Sequence, residues 1–204
     1  MLFEDRYKTI SAPSEGSFKD KGSKFLAYAF PFSQEENLKE IIATIKSEHA
    51  KARHYCYAYR LTADRSVFRI NDDGEPSGTA GRPILNTLLS KEITNVLVVV
   101  VRYFGGTLLG VPGLIHAYKS ATEDAIQQAL IIEKTVQDIY EISFEYSQMN
   151  EVMSLIKDEN LDNFDHDFDL NCKIKITVNQ SEVNRIIDKL VHIENIKAKF
   201  LKTI

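Results

Sequence analysis

Two glycine-rich segments contain most of the residues whose types and spacing could do chemistry. They are NDDGEPSGTAGRPIL at 71–85 and VRYFGGTLLGVPGL at 101–114. The polar side chains and paired glycines within them are Asp72, Asp73, Glu75, Ser77, Thr79, Arg82, Arg102, Gly105, Gly106 and Thr107. Each segment lies between a predicted strand and a predicted helix, where the amides at the helix N-terminus suit an anion. An anion site is therefore one hypothesis for both segments.

The common nucleotide and calcium motifs do not fit these segments. A Walker A loop needs a Lys-Ser or Lys-Thr pair, and none follows Gly105 and Gly110. The G-x-G-x-x-G dinucleotide pattern is absent from both. The adjacent Asp72 and Asp73 do not give the alternating oxygen ligands of an EF-hand. We predict no cofactor and, because no histidine or cysteine lies near the acids in sequence, no tight transition-metal site.

Each candidate also has a structural interpretation, which stays open at this point. Glycine serves a positive φ or a close backbone approach as well as ligand binding. The acids Asp72, Asp73 and Glu75 could hold a hard cation or hydrogen-bond the backbone of a solvated loop. His54, which begins a predicted strand, could be an acid–base residue, although a hydrogen-bonded structural role is favoured. The tyrosines of HYCYAYRL at 54–61 could stack bases, but a same-face aromatic stripe favours a core.

Charge is divided unevenly along the chain. Residues 1–136 contain 17 lysines and arginines against 16 acids, whereas residues 137–204 contain 8 against 13. Seven of the eight arginines lie in the first part, and arginine is the better residue for phosphate recognition. If the protein binds nucleic acid, the charge balance therefore favours the first part and disfavours the acidic second part.

These observations predict a site for an anionic partner, with RNA phosphate as the leading candidate. Its cations are Lys24, Arg60, Arg82 and Arg102. Its other members are the amides of both glycine-rich segments, including those of Gly105 and Gly106, and the hydroxyls of Ser77, Thr79 and Thr107. Its mechanism would be charge neutralisation plus hydrogen bonding, which positions a nucleic-acid backbone without reading bases. The alternative is that the arginines are internal and pair with Asp72, Asp73 or Glu75 to brace the loops.

The periodicity of the first part predicts a sheet with helices. Ser33 and Glu36 form a capping-box pattern, which predicts a helix beginning at Gln34. The strand at 54–61 has a predicted hairpin partner at 66–70. A helix over 81–90 follows, and the β-branched run NVLVVVVRY predicts a buried central strand. A second helix from Pro112 to Leu130 has alanines on one side, which allow close approach to the sheet.

Residues 137–204 follow a different pattern. Their periodicities give the order β-α-β-β-α-β, which is the ferredoxin-like arrangement. The sequence therefore predicts an α+β protein with two domains, 1–134 and 137–204. Only two cysteines occur, Cys56 and Cys172, which fits a reducing cytoplasm, and the longest apolar run, VLVVVV, is too short to span a bilayer. We expect a cytoplasmic protein with no membrane partner.

Four segments of the first part resemble the signature segments of the IMPACT family, whose bacterial members are called YigZ-like. They are KGSKFLAY at 21–28, HYCYAYRL at 54–61, DDGEPSGTAGRPIL at 72–85 and VVVRYFGGTLLGVPGL at 99–114. The resemblance implies a first domain with the fold of the second domain of ribosomal protein S five. It implies a second domain similar to the ferredoxin-like C-terminal domain of a translocating elongation factor. It also implies a link to translation, although the kinase-pathway role of eukaryotic relatives depends on a recruitment domain that we do not expect here.

Three functional hypotheses follow. The leading one is a translation-associated binding or regulatory protein that contacts RNA, the ribosome or a translation factor. The second is an enzyme of unknown reaction that uses polar groups of the glycine-rich surface. The third is a purely protein-binding regulator, which the salt dependence of binding would distinguish from an RNA-binding protein.

Overall fold

A computed structural model describes residues 5–168 and 171–204 of the 204-residue chain. The strands are β1 (Arg6–Ile10), β2 (Ser14–Asp20), β3 (Ser23–Pro31), β4 (His54–Leu61), β5 (Val67–Asn71), β6 (Val96–Tyr103), β7 (Ile131–Thr135), β8 (Gln137–Glu145), β9 (Asp162–Asp167), β10 (Asn171–Asn179) and β11 (Lys197–Thr203). The helices are α1 (Leu38–Glu48), α2 (Gly81–Ser90), α3 (Gly110–Gln128), α4 (Met149–Asp158) and α5 (Val183–Val191). This mixture confirms the predicted α+β class.

The chain divides into two compact units. The N-terminal unit is Tyr7–Lys134, and the C-terminal unit is Thr135–Ile204 together with Asp5 and Arg6. The sequence assigns the start of the chain to the first domain, whereas the structure groups Asp5 with the second unit. The reason is local, because the amide of Val136 donates a hydrogen bond to the carbonyl oxygen of Asp5 at 2.6 Å.

The N-terminal unit is built on a five-stranded sheet in the order β2-β3-β6-β4-β5. Its strand pairs are antiparallel, and β4 and β5 form the predicted hairpin. Strand β6 is central and buried, as the β-branched run predicts. One face of the sheet packs with α2 and α3 through residues such as Val98 and Val100. The other face packs with α1 through residues such as Val99 and Tyr59, so the tyrosines of β4 belong to a core.

The predicted close approach of α3 to the sheet is confirmed at Gly16 on β2. A Cβ atom added to Gly16 would lie 2.1 Å from the backbone nitrogen of Ala125. Glycine on the strand and alanine on the helix therefore let the two backbones come together. The helix begins at Gly110, slightly before the predicted Pro112, which leaves the proline in the first turn where its missing N–H is tolerated.

The predicted start of α1 is wrong. A 3₁₀ turn at Glu35–Asn37 precedes the helix, which begins at Leu38 with no side-chain cap hydrogen bond. Ser33 and Glu36 therefore do not form a capping box. Leu38 and Ile45 are the buried residues of this helix and pack it on the sheet.

The C-terminal unit has the predicted ferredoxin-like topology. Its four strands lie in the order β11-β8-β10-β9, in a sheet separate from that of the N-terminal unit. Helices α4 and α5 cover one face through Val152, Ile156 and Ile186, which pack on Ile142 of β8 and its neighbours. Within the described ranges, no helix is long and apolar enough to cross a membrane.

Candidate functional site

A buried ion pair joins the two glycine-rich segments. Arg102, near the end of β6, donates from Nη1 to Oε1 of Glu75 at 2.6 Å, and the two side chains are only 6% and 3% exposed. The hydroxyl of Tyr118 on α3 donates to the same Glu75 oxygen at 2.8 Å. The Arg102 guanidinium also lies over the rings of Phe25 and Phe104. The predicted role of Arg102 as an external anion ligand is therefore corrected, because its charge is neutralised inside the protein.

Cys56 and Tyr118 extend this buried cluster. The Cys56 sulfur lies 3.3 Å from the Tyr118 hydroxyl and 3.0 Å from the carbonyl oxygen of Asp72. Burial raises the pKa of both the Cys56 thiol and the Tyr118 hydroxyl, so both groups keep their protons at neutral pH. A protonated buried thiol is a poor nucleophile, so Cys56 has a packing role in this cluster.

The carboxylate of Asp72 occupies the N-terminus of α2. It accepts hydrogen bonds from the amides of Gly78 at 2.9 Å, Ala80 at 3.0 Å and Gly81 at 2.8 Å. These are the amides proposed from sequence for an external anion. The positive end of the helix dipole is already matched by an internal anion, so the first segment functions as a self-capped turn in this structure.

The other polar residues of the first segment are also bonded within the fold. Asp73 accepts the amide of Tyr55 through its carboxylate at 2.7 Å, and its carbonyl oxygen lies 2.8 Å from Nδ1 of His54. The buried Thr79 hydroxyl donates to the carbonyl oxygen of Pro76 at 2.6 Å, while Ser77 is exposed. His54 thus has the hydrogen-bonded structural placement that the sequence favours.

Arg60 does not join the other predicted cations. It is 8% exposed, and its Nη1 donates to the carbonyl oxygen of Ile93 at 3.3 Å. Burial lowers the pKa of its guanidinium from the ordinary value. On the central strand β6, Arg60 aligns with Val96 whereas Arg102 lies six residues further along, which is about 20 Å in an extended strand. The prediction that Arg60 belongs to the same external site is therefore corrected.

Two predicted cations are exposed, but they lie on different faces of the sheet. Lys24 aligns with Tyr103 of β6, and strand alternation directs it to the face opposite Arg102. Arg82 lies on the outer side of α2. It lines a groove of about 400 Å³ between α2 and α3, together with Ile115 and Lys119. The structure therefore does not assemble Lys24 and Arg82 into one cradle.

The two glycines of the second segment differ in role. A Cβ atom on Gly105 would lie 1.9 Å from the carbonyl carbon of Gly22, and the Gly105 amide donates to the hydroxyl of Ser23 at 3.1 Å. Gly105 is therefore required for close packing of two turns. Gly106 has φ +87°, and an added Cβ would meet nothing within 4 Å. It supplies a turn that only glycine adopts readily, and it faces open space beside the exposed Thr107.

The second segment exposes apolar side chains. Phe104 is 46% exposed, Leu108 is 83% exposed, and Val111 and Ile115 lie one helical turn apart on α3 at 52% and 39%. We call Phe104, Leu108, Val111 and Ile115 the loop ridge. Sequence reasoning missed it by treating the segment as an anion cradle. The signal was the run TLLGV, whose apolar residues are unusual for a solvated loop.

A second feature missed from sequence lies on the α1 face of the sheet. The ring nitrogens of His49 are 2.7 Å from the Tyr28 hydroxyl and 2.9 Å from the Tyr103 hydroxyl, and the Tyr55 hydroxyl donates to the His49 carbonyl oxygen at 2.7 Å. Burial raises the pKa of Tyr28. No spacing in the sequence joins these residues, because they come from β3, β4, β6 and the residue that follows α1. Both ring nitrogens are bonded within the fold, so the arrangement fixes the end of α1 against the sheet.

Metal coordination finds no support in residues 5–168 and 171–204. No group of three or more histidine, cysteine, aspartate or glutamate side chains there is placed to hold a metal ion. The acids of the first segment bind amides and Arg102 instead.

Comparison with known proteins identifies relatives of the whole chain. The Impact N-terminal domain matches residues 21–126. The IMPACT family member YigZ from Escherichia coli (strain K12) is 36% identical over 138 residues, covering 67% of this chain and 68% of that protein. The IMPACT family member YvyE from Bacillus subtilis (strain 168) is 29% identical over 192 residues, covering 94% and 88%. A crystal structure of a hypothetical protein superposes with a TM-score of 0.74 at 28% identity, covering 98% of this chain and 99% of that one.

Proposed function

This chain belongs to the IMPACT family, and we propose that it is a cytoplasmic, translation-associated binding protein. Its partner is a protein of the translation machinery, a translation factor or a ribosomal protein, which docks on the loop ridge. The link to translation rests on the family, since a fold alone does not define a function. The placement of the contact rests on one observation, the exposed apolar side chains that the second glycine-rich segment presents.

The chemistry of the ridge supports a protein partner. Contiguous apolar side chains at a surface mark interaction sites when polar residues surround them. Arg82 and Lys119 lie beside Ile115 in the adjoining groove. Lys119 lies 3.6 Å from Glu123, which lines the same groove. A complementary surface would therefore have an apolar centre with mixed charges, including an acid for Arg82, on one side. Leu108, the most exposed ridge residue, is suited to insert into a pocket of the partner.

The buried cluster beneath the ridge supports the same proposal. Glu75, Arg102 and Tyr118 tie β6, α3 and the first segment together. A surface held on such a rigid base loses little conformational entropy on binding. The alternative hypothesis of an enzyme on this surface has weaker support, because Asp72, Glu75 and Arg102 are each bonded inside the protein and leave few polar groups for a substrate.

Substitution of ridge residues tests the proposal. Leu108→Asp and Ile115→Asp place charge in the apolar centre and should abolish capture of the partner from a cell lysate. Leu130→Asp is the matched control, since Leu130 is 69% exposed and lies beyond the far end of α3, about 27 Å from its start. Captured proteins are identified by mass spectrometry, with and without nuclease, and binding to ribosomes is followed by co-sedimentation.

The expected result is nuclease-resistant recovery of a translation factor or ribosomal protein by the wild type and by Leu130→Asp, with loss in both ridge variants. Equal recovery by folded ridge variants would contradict the proposed contact. Recovery that disappears entirely on nuclease treatment would favour direct RNA binding over a protein partner.

A further inference from the structure

The cations of the C-terminal unit are concentrated on two strands. Residues 137–204 contain eight lysines and arginines, and five of them lie on β10 and β11. They are Lys173, Lys175, Lys197, Lys199 and Lys202. Both strands flank β8 in the sheet. Although this part of the chain is acidic in sum, its positive charge is therefore collected at one place.

The register places all five of these lysines on the sheet face that the helices do not cover, Lys202 through its alignment with Ile139 of β8. Ile142 of β8 and Ile174 of β10 pack on α4 and α5. Because side chains alternate along a strand, the residues next to them, such as Ser143 and Lys173, face the other side of the sheet. Ser143 of β8 aligns with Lys173 on one side and Lys197 on the other, and Glu141 aligns with Lys175 and Lys199 in the same way. Glu141 and Glu145 of β8 lie on that face, and the register of β9 adds Asp162, aligned with Thr177, and Asp167, aligned with Lys173. The lysines of the face therefore stand beside four aligned acids, and the inference rests on the local pair Lys173 and Lys197.

A cavity lies between the first two of these lysines. It has a volume of about 570 Å³ and is lined by Lys173, Lys197 and Ser143, with Asn171 and Asn195 beside them. Two ammonium groups, a hydroxyl and two amides can all donate hydrogen bonds to one oxyanion. These groups are donors that suit a phosphate, and the carboxylate of Glu145 also lines the cavity.

Protection of an exposed sheet edge does not account for all of these lysines. Edge strands often carry lysine to prevent pairing with another chain, and β11 is an edge of this sheet. Strand β10 is internal, however, with β8 and β9 on its two sides. Lys175 forms an ion pair with Asp165, but Lys173 and Lys197 are exposed and face the cavity.

An aromatic side chain lies on the same face. Phe164 of β9 aligns with Lys175 and is 42% exposed. Single-stranded nucleic acids are commonly held by cations along the backbone together with aromatic rings on which bases stack. A phosphate at the Lys173–Lys197 cavity would leave Phe164 further along the face, where an unpaired base could stack.

We propose that the open sheet face of the C-terminal unit binds single-stranded RNA, with Lys173, Lys197 and Ser143 holding a backbone phosphate. This site is distinct from the loop ridge, and its assignment to RNA rests on the proposed function in translation. Contacts from lysines and a hydroxyl position the backbone and carry no base specificity. The site therefore accepts RNA with little regard to sequence.

Fluorescence anisotropy with a labelled single-stranded oligoribonucleotide, measured over a series of KCl concentrations, tests the site. Lys173→Gln and Lys197→Gln should each weaken binding and reduce the magnitude of the slope of log affinity against log salt by about 0.7. The double substitution Lys173→Gln/Lys197→Gln should reduce this slope by about twice the amount of either single substitution. Lys157→Gln is the matched control, because it deletes the same charge from α4 on the helical side of the unit, and it should leave the slope within error. Circular dichroism melts confirm that each variant is folded.

Several outcomes would overturn the site. One is that the wild type does not bind the RNA. Others are that Lys157→Gln loses as much RNA affinity as the sheet variants, or that both sheet variants keep the salt slope of the wild type. A last one is that polyglutamate competes as tightly as RNA, which would indicate an acidic protein as the ligand. Co-sedimentation of the sheet variants with ribosomes separates this inference from the proposed function. If RNA binding fails while capture through the loop ridge persists, only the RNA site is refuted. If no partner is captured through the loop ridge while Lys173→Gln and Lys197→Gln reduce the salt slope of RNA binding as expected, only the ridge contact is refuted.

Discussion

The two units use their cations in opposite ways. In the N-terminal unit, Arg60 and Arg102 are buried and bonded to the protein itself. In the C-terminal unit, Lys173 and Lys197 are exposed beside a cavity. Two of the arginines that favour the N-terminal unit on charge are therefore held inside the protein and are not available to a partner. Net charge describes long-range attraction, whereas a binding site depends on which charges remain unneutralised at the surface.

The largest expected effect comes from breaking the buried pair. Arg102→Ala leaves Glu75 buried without its cation, and removal of one partner of such a pair costs about 3–5 kcal/mol in the free energy of unfolding. Urea denaturation measures the loss. Arg82→Ala, an exposed arginine of the same unit, is the control and should change stability by less than about 0.5 kcal/mol. If the two variants were equally stable, Arg102 would not have the structural role assigned to it.

A smaller effect is expected from removing the internal cap of α2. Asp72→Ala deprives the amides of Gly78, Ala80 and Gly81 of their acceptor, which should cost about 1–2 kcal/mol. Asp72→Asn keeps an oxygen acceptor and should cost less. Hydrogen exchange at the three amides measures the effect locally. Unchanged exchange in Asp72→Ala would mean that the carboxylate does not cap the helix.

The smallest effect is a pH dependence in the C-terminal unit. Hydrogen bonds from Lys189 and Arg185 lower the pKa of the Glu159 carboxyl below its ordinary value. A lowered folded-state pKa contributes stability above the unfolded pKa, about 4.3, and this contribution is lost as the pH falls through the folded pKa. Glu159→Gln should therefore flatten the acid dependence of stability, measured by urea unfolding below neutral pH. Glu151→Gln, an exposed glutamate of α4, is the control, and equal curves for the two variants would contradict this role for Glu159.

The architecture was largely predictable from the sequence because it follows from periodicity. The run at β6 could only be a buried strand, and the alternation in KIKIT and KAKF gave β10 and β11 one apolar and one basic face. The start of α1 was not predictable from Ser33 and Glu36, because a 3₁₀ turn satisfies the first amides without a side-chain cap.

The candidate sites were less predictable, for two physical reasons. Arg102 ends a run that is apolar at every position, so alternation could not reveal which side of β6 it would face, and its partner Glu75 lies 27 residues away. The lysines of β10 and β11 were visible in the sequence, but summing the charges of residues 137–204 concealed their concentration on one face. Register, which aligns Lys173 and Lys197 on either side of Ser143, is a property of the folded sheet.

The contrast between the two units is tested most directly by measuring stability and RNA affinity on the same variants. Arg102→Ala should lower the free energy of unfolding and leave RNA affinity per folded molecule unchanged. The double variant Lys173→Gln/Lys197→Gln should keep its stability and lose RNA affinity together with part of the salt dependence. The opposite pattern, in which folded Arg102→Ala loses RNA affinity while the lysine variant retains it, would contradict the account and return the anion site to the glycine-rich segments.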